Sequence, residues 1–188
     1  MASTTSSETI LLQHVAKGDR AAFKTLFEFY QQPLFRYLVK TVRDEAMARD
    51  LTNEVMLAVW RGAGRFAGRS SVSTWIFGIA HNQAISALRK RREDQLDDSW
   101  AEQLADDGNT PFDDVQQGDM RALLARLLGQ LSPEHREVIQ LTYYQGFSIK
   151  EIAEVADCPE GTVKTRMHYA RQKLKELLLD AGVEGAVL

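Results

Sequence analysis

Apolar residues recur at intervals of three and four along most of this chain, and no stretch alternates between apolar and polar residues over any length. The first spacing places apolar side chains on one face of an α-helix, whereas alternation would place them on one face of a β-strand. The segments Ala22–Tyr30 and Met47–Val59 show the helical spacing clearly. We therefore predict an all-α fold.

Capping residues predict where the N-terminal helices begin. Asp19 and Asp44 are the expected N-caps of two helices, and Ser71 or Ser73 is the expected cap of the next. Pro33 is expected to end or restart its helix, because proline has no amide hydrogen and its ring clashes with the preceding turn.

The opening residues, MASTTSSET, lack the basic segment and apolar core of a secretory signal. We expect a short frayed tail there.

The C-terminal third contains the signals of a helix-turn-helix. Ser132 precedes a proline at the first position of one expected helix. Ser148 and Glu151 have the spacing of a capping box, which would open a short helix over about 148–156. A longer helix is expected to begin around Pro159. A short helix, a tight turn and a longer helix form a helix-turn-helix.

Charge is distributed unevenly along the chain, whose net charge is −3 over 188 residues. Ten acids and no Lys or Arg lie between Glu93 and Asp119, and the rest of the chain has 16 acids against 23 bases, a net charge of +7. We interpret the acidic segment as a flexible linker over 94–117 that joins two small helical domains, 8–93 and 118–182. A basic remainder of this kind points to nucleic acid.

The last helix is expected to present a basic face. Its apolar residues fall on one side at 100° per residue, and polar residues occupy the other side. In a helix-turn-helix, the N-terminal part of the second helix enters the major groove, where Lys, Thr and His can contact phosphates and base edges. Candidates on this face are Gly161, Lys164, Thr165 and His168, flanked by Arg166 and Arg171. A solvated amphipathic helix at the end of a bundle is the alternative interpretation.

A second basic region follows the third expected helix. A loop rich in glycine and serine holds Arg65, Phe66 and Arg69, and the next helix ends in the bases Arg89–Arg92. Four consecutive bases suit a phosphate backbone, although cations also suit the negative end of a helix dipole. An aromatic ring in such a loop can hold an unstacked base. Phe66 and Trp75 can equally be anchors in the core.

The third expected helix has an exposed face of different chemistry. Asp50, Asn53, Glu54 and Leu57 lie away from its apolar stripe. An acidic and apolar surface would repel DNA and suits a basic protein partner. A purely solvated face is the alternative.

Several classes of site are not expected. The single cysteine excludes an internal disulfide and fits a reducing cytoplasm. The four histidines are not at metal-ligand spacing, and no run of about 18 apolar residues would span a membrane. Because no nucleophile–base pair or phosphate-binding glycine loop is present either, we expect a cytoplasmic protein without catalysis, cofactor or structural metal.

Three segments together resemble the extracytoplasmic-function (ECF) group of bacterial sigma factors. They are RDLTNEVMLAVW, FAGRSSVSTWIFGIAHNQAISALRKRR and LSPEHREVIQLTYYQGFSIKEIAEVADCPEGTVKTRMHYARQKLKE. The resemblance covers about residues 10–180. It implies that 8–93 is sigma domain 2, which binds core RNA polymerase and the promoter −10 element, and that 118–182 is sigma domain 4, which reads the −35 element in promoter DNA.

The resemblance also assigns residues to three binding sites. Expected polymerase contacts are Asp50, Asn53, Glu54, Leu57 and Arg61. Expected −10 contacts are Arg65, Phe66, Arg69, Ser70, Ser73, Trp75, Asn82, Arg89, Arg91 and Arg92. Expected −35 contacts are Gly161, Lys164, Thr165, Arg166, His168, Tyr169 and Arg171.

Members of this family are often held inactive by an anti-sigma factor, and we expect such a partner here. Leu57 and Met56 are the apolar residues that it could cover. Two other functions stay open on the residues alone. A ligand-sensing transcriptional regulator would need a ligand cavity or a phospho-acceptor pocket, and a nuclease or hydrolase would need clustered carboxylates for Mg²⁺.

Overall fold

The computed structural model describes the backbone of residues 2–97 and 118–183 and the side chains of 7–93 and 122–183. Over these residues the regular structure is entirely helical, so the all-α prediction is confirmed. The helices are α1 (Ala2–Ala16), α2 (Arg20–Val42), α3 (Glu45–Gly62), α4 (Val72–Asp97), α5 (Gly118–Gly129), α6 (Pro133–Tyr143), α7 (Ile149–Val155) and α8 (Glu160–Asp180), with a 3₁₀ turn at Ala63–Arg65. Most of the expected linker, 94–117, lies outside the described residues, but α4 continues to Asp97, past the linker's expected start.

The helices form two compact units. The first unit contains α1 to α4, in which α2 packs against α1 and α3, and α3 also packs against α4. Tyr30, Tyr37 and Phe77 are among its largest fully buried side chains. The rings of Tyr37 and Phe77 meet edge to face with their centroids 5.4 Å apart, a favourable arrangement for aromatic pairs. The core of the first unit is thus largely aromatic and aliphatic.

The N-terminal segment does not form the expected frayed tail. It forms α1, which begins at Ala2 and packs against α2. Leu12 and Val15 are 1% and 2% exposed. Leu12 and Val15 lie within one turn, and two apolar residues are too short a pattern to predict a helix from the sequence. The contacts that stabilise α1 come from its packing on α2.

Pro33 neither ends nor restarts its helix, because α2 runs through it from Arg20 to Val42. A proline inside a helix costs about 3 kcal/mol or more. Tyr30 on one side of it and Leu34 and Tyr37 on the other are all buried. Each large apolar side chain contributes about 1.5–3 kcal/mol when it is buried, so their packing outweighs the proline's cost.

The expected helix caps of the first unit are confirmed. The Asp19 carboxylate accepts hydrogen bonds from two amides in the first turn of α2, at 2.8 and 3.1 Å. The Asp44 carboxylate accepts one from α3 at 2.9 Å. The hydroxyl of Ser71 accepts one from α4 at 3.0 Å, so Ser71 rather than Ser73 caps that helix.

The second unit contains α5, α6, most of α7 and α8, with α8 packed against α6 and α5. Its capping residues also behave as expected. The hydroxyl of Ser132 accepts a hydrogen bond from the His135 amide at 3.3 Å. Ser148 and Glu151 exchange hydrogen bonds of 2.9 and 3.3 Å between side chain and amide, which is the predicted capping box. These contacts place the starts of α6 and α7.

A buried arginine joins α5 to α6, and the sequence did not predict it. Arg136 is 7% exposed. Its guanidinium donates to the carbonyls of Leu128, Gly129 and Leu131 at 3.1, 3.3 and 2.8 Å. These carbonyls lie at and just after the C-terminal end of α5, where no further helical turn supplies donors. Arg136 therefore satisfies the end of α5 and ties it to α6.

Candidate polymerase and DNA interfaces

The helix-turn-helix prediction is confirmed by α7 and α8. α7 and α8 are separated by the turn 156–159. Asp157 adopts a left-handed conformation with φ of 45°. The amide of Cys158 donates to the carbonyl of Ala153 at 3.0 Å. A left-handed residue with a backward hydrogen bond is typical of a helix C-terminus, and here it makes the turn tight.

The two faces of α8 divide as the 3.6-residue period predicts. Val163, Met167, Ala170, Leu174 and Leu177 are all buried. Of the expected −35 contacts, the following are exposed: Gly161, Lys164, Thr165, His168, Tyr169 and Arg171. The helix therefore offers one continuous polar and aromatic surface to solvent.

Arg166 is the exception among the expected −35 contacts, since it is half-buried on the flank of α8. Its Nη1 atom lies 3.9 Å from the sulfur of Cys158. Its positive charge also acts on Glu134 of α6. The pKa of that carboxyl is lowered first by its own backbone amide, then by the Ser132 hydroxyl and by Arg166. Arg166 thus lies against its own unit.

Aromatic rings surround the middle of α8. Tyr169 is 53% exposed, and its ring stacks on that of His135 from α6 with centroids 6.5 Å apart. The His168 ring meets Tyr169 edge-on at 5.4 Å. On the opposite flank, the guanidinium of Arg171 lies 5.8 Å from the ring centroid of Tyr143. Neither His135 nor Tyr143 was a predicted site residue, because each reaches α8 only through tertiary packing.

The expected polymerase contacts form one exposed line on α3. Asp50, Asn53, Glu54, Leu57 and Arg61 are all exposed, and Leu57 is 44% exposed. The opposite side of α3 is buried in the first unit. Met56 lies on that buried side and is 1% exposed, so the expectation that a partner could cover it is wrong. One residue of helix rotates a side chain by 100°, which separates Met56 from Leu57.

The loop before α4 contains two rings that pack on each other. The centroids of Phe66 and Trp75 are 5.2 Å apart, and both side chains are half-buried. A Cβ atom at Gly62 would lie 3.4 Å from the indole, so Trp75 rests on the backbone there. Arg65 and Arg69 are exposed in the same segment of the chain as Phe66. The loop therefore joins partly exposed aromatic surface to positive charge.

Ser70 and Ser73 flank the start of α4 and are both half-buried. The Ser73 side chain lies close to the buried hydroxyl of Tyr30. It therefore faces the core of the first unit at least in part.

The bases Arg89–Arg92 do not end α4 as expected, because the helix continues to Asp97 and Arg89 pairs with Glu93 one turn further on. These bases are exposed, and two of the arginines are paired. Asn82, Arg89, Arg91 and Arg92 are exposed. Arg89 lies 3.9 Å from Glu93, and Arg91 lies 3.5 Å from Asp44, the cap of α3. Exposed ion pairs contribute about 0–1 kcal/mol, so these arginines can exchange their partners for phosphate at little cost.

Two regions of the chain match known families. Residues 26–93 match the family described as Sigma-70 region 2, and residues 127–176 match Sigma-70 region 4. The chain is 34% identical over 169 residues to the ECF RNA polymerase sigma factor SigL of Mycobacterium tuberculosis. The aligned region covers 89% of this chain and 95% of SigL. The chain belongs to the ECF RNA polymerase sigma factors.

Solved structures support the same assignment for this ECF sigma factor. The sigma factor RpoE from Bartonella quintana, in complex with the anti-sigma factor NepR, matches with a TM-score of 0.66 and 29% identity. That match covers 83% of this chain and 96% of RpoE. CnrH in complex with the cytosolic domain of CnrY matches with a TM-score of 0.67 and 27% identity, over 93% of this chain and 97% of CnrH.

Membership of the family decides between the functions that the residues left open. A sigma factor is a transcription initiation factor and not an enzyme, so this ECF sigma factor is neither a nuclease nor a hydrolase. Across the ranges with described side chains, no cluster of His, Cys, Asp or Glu could hold a metal ion. In the same part of the chain, no helix has the length and apolar character needed to cross a membrane.

Proposed function

We propose that this ECF sigma factor binds core RNA polymerase through the exposed line of α3, the −10 element through the loop before α4 and α4 itself, and the −35 element through α8. In this proposal, sigma domain 2 spans 8–93, sigma domain 4 spans 118–182, and 94–117 is the linker. The observation that carries the proposal is that the acidic and apolar line of α3 and the basic and aromatic face of α8 belong to different units.

The α3 line suits a protein partner rather than DNA. Asp50 and Glu54 would repel a phosphate backbone and attract a basic surface, which increases the rate of association and fixes its orientation. Leu57, exposed between them and Arg61, supplies apolar area for the centre of a contact. The buried opposite side of α3 fixes the backbone of this line, so only its exposed side chains have to be ordered on binding.

The loop and α4 suit melted DNA. Extruding a base costs a few kcal/mol, and stacking on one aromatic ring returns about 1–3 kcal/mol. Phe66 or Trp75 alone therefore cannot hold a −10 base open. The exposed arginines Arg65, Arg69 and Arg92 can add phosphate contacts.

The face of α8 suits a DNA duplex. Lys164 and His168 are one turn apart and both exposed, so both can enter one groove. The Thr165 hydroxyl donates to the Gly161 carbonyl at 3.0 Å, which directs its methyl group outward toward a thymine methyl or a sugar. Arg171, held beside Tyr143, can contact a phosphate from the flank.

The proposal includes control by an anti-sigma partner and action in the cytoplasm, where RNA polymerase acts. One similar sigma factor, RpoE, was solved in complex with the anti-sigma factor NepR, and CnrH was solved with the cytosolic domain of CnrY. Leu57 is an apolar side chain that such a partner could cover, and covering it would also block the α3 line. Replacing Leu57 by Asp should therefore remove a stoichiometric partner that co-purifies with the native protein from uninduced cells. If no such partner co-purifies in the first place, this part of the proposal is wrong.

Run-off transcription tests the main proposal. Purified core polymerase would be mixed with the full chain and a promoter library, and the start sites would be mapped. We expect initiation only with the chain present, and a changed −35 preference when Lys164 and His168 are both replaced by Ala. Replacing Lys24 by Ala is the matched control, since Lys24 is an exposed lysine of α2 outside the proposed sites. Absence of chain-dependent initiation would refute the polymerase assignment, and an unchanged preference would refute the −35 assignment.

A further inference from the structure

One ring on the proposed −35 surface is contacted by a residue from outside the helix-turn-helix. His135, in the first turn of α6, stacks on Tyr169 with the centroids 6.5 Å apart and the ring planes 29° apart. Offset stacking at 4.5–7 Å is a favourable geometry for aromatic pairs. His168 approaches the same ring edge-on, with the planes 71° apart. The Tyr169 ring is thus in contact with two imidazole rings.

The contact leaves Tyr169 able to bind and restricts how it moves. Tyr169 is still 53% exposed, so about half of its surface stays open to solvent. A solvent-exposed tyrosine without neighbours would exchange among side-chain rotamers, and ordering it on binding would cost entropy. Stacking on His135 already orders the Tyr169 side chain in the free protein, so less entropy is lost when DNA binds.

The stacking partner, His135, belongs to the start of α6, which is held in place by hydrogen bonds. His135 is half-buried, and its amide donates to the Ser132 hydroxyl that caps α6. The next residue, Arg136, is buried and bound to the end of α5 by three hydrogen bonds. The backbone that carries the His135 ring is therefore held by the cap of α6 and by the contact between α6 and α5.

We propose that His135 is a positioning residue for promoter recognition: it orients Tyr169, and through that ring His168, toward the −35 bases. His135 itself contacts no base in this proposal. The inference rests on the proposed function, in which α8 reads the −35 element. It adds that the base preference of α8 depends on a side chain of α6.

The test uses holoenzyme made from the full chain and core polymerase. Promoter duplexes with a randomised −35 element are selected on the unmodified holoenzyme, and binding is then measured on the preferred duplex and on a duplex with a scrambled −35 element. The variants are His135→Ala, His135→Phe, Tyr169→Ala, Lys164→Ala and the double variant His135→Ala with Tyr169→Ala. His14→Ala is the control, because His14 is an exposed histidine of the first unit outside every proposed site.

We expect His135→Ala to weaken binding to the preferred duplex by about two- to tenfold, the range that corresponds to an aromatic pair. Binding to the scrambled duplex should not change. His135→Phe should restore most of the loss, because phenylalanine keeps the stacking ring. In the Tyr169→Ala background, His135→Ala should have no further effect.

Four outcomes would overturn the inference. His135→Ala could weaken binding to the preferred and scrambled duplexes equally, or weaken binding as much in the Tyr169→Ala background as in the unmodified protein. Either result would mean that His135 acts on general stability or charge. If His135→Ala has no effect while Tyr169→Ala and Lys164→Ala both alter the base preference, the inference is rejected and the −35 assignment stands. If Tyr169→Ala and Lys164→Ala both leave the preference unchanged, the −35 assignment fails together with the inference.

Discussion

The helices α3 and α8 are built alike and present opposite chemistry. Each buries one apolar stripe in its own unit and leaves the other side in solvent. The exposed line of α3 carries Asp50 and Glu54 beside Leu57, and the exposed face of α8 carries Lys164 and Tyr169. The helical period decides that an exposed line exists, and the side chains on that line decide whether it attracts a protein or a polyanion.

The two helices also differ at their N-terminal ends. The Asp44 carboxylate caps α3 and also lies 3.5 Å from Arg91. α8 begins after Pro159, which makes no side-chain cap. Amides at a helix N-terminus can bind an anion when no side chain of the protein occupies them. The end of α3 is therefore closed by its own carboxylate, whereas α8 begins without a side-chain cap and with the acidic Glu160 in its first turn.

The cores beneath these helices differ as well. α3 packs on apolar and aromatic side chains of α2 and α4. α8 packs on α6, which buries Arg136, Glu137 and Gln140. The helix that we propose to face DNA therefore packs on a neighbour that buries polar as well as apolar side chains, whereas the helix that we propose to face polymerase packs on mainly apolar ones.

The largest effect is expected from removing the buried guanidinium. Arg136→Ala should lower the free energy of unfolding of the second unit by about 3 kcal/mol, because three carbonyls lose a charged donor and a cavity forms. Urea unfolding of the full chain, followed by hydrogen exchange in α6, measures it. Arg126→Ala, at an exposed arginine of α5, should change stability by less than about 0.5 kcal/mol. Equal effects of the two substitutions would show that α8 does not depend on polar support.

A charge reversal on α3 should have the next largest effect. Glu54→Lys should raise the dissociation constant for core polymerase roughly thirtyfold, about 2 kcal/mol, because a like charge would then face a basic partner. Binding of labelled sigma factor to purified core polymerase measures this. Glu28→Lys, at an exposed glutamate of α2, is the matched control. A similar loss from both substitutions would mean that net charge, and not the α3 line, controls binding.

The smallest effect is expected at the capped end of α3. Asp44→Ala should lower the stability of the first unit by about 1 kcal/mol, the usual value for a lost N-cap, with a minor addition from the ion pair to Arg91. Thermal unfolding followed by circular dichroism gives the change. Asp50→Ala removes an exposed carboxylate from the same helix without removing a cap, and should leave stability within about 0.5 kcal/mol of the unmodified protein. If the two variants unfold alike, the cap is not what distinguishes the end of α3 from that of α8.

Much of the fold could be predicted because its signals are local. Caps such as Asp44 and Ser148 act within one turn, and the stripe of α8 repeats over about four turns of one helix. The identity of the exposed residues on α3 and α8 followed from the same periodicity. Which of these residues contact polymerase or DNA stays a prediction.

Other features could not be predicted because their stabilising contacts come from other helices. Pro33 looks like a helix end until the burial of its neighbours is known. Met56 is apolar like Leu57 next to it, and only packing shows which of them is buried. The contacts of Arg136 with α5 and of His135 with Tyr169 join residues that no periodic pattern connects.

The sequence by itself determined that this chain is helical, that it ends in a helix-turn-helix, and that its exposed charge separates into acidic and basic faces, since helix formation, capping and face assignment depend on residues within a few turns of one another. Tertiary structure decided which helices continue through unfavourable residues, which charges are buried or paired, and which rings on α8 are held in place. Those outcomes depend on packing energies of a few kcal/mol between distant segments, which outweigh local preferences of similar or smaller size.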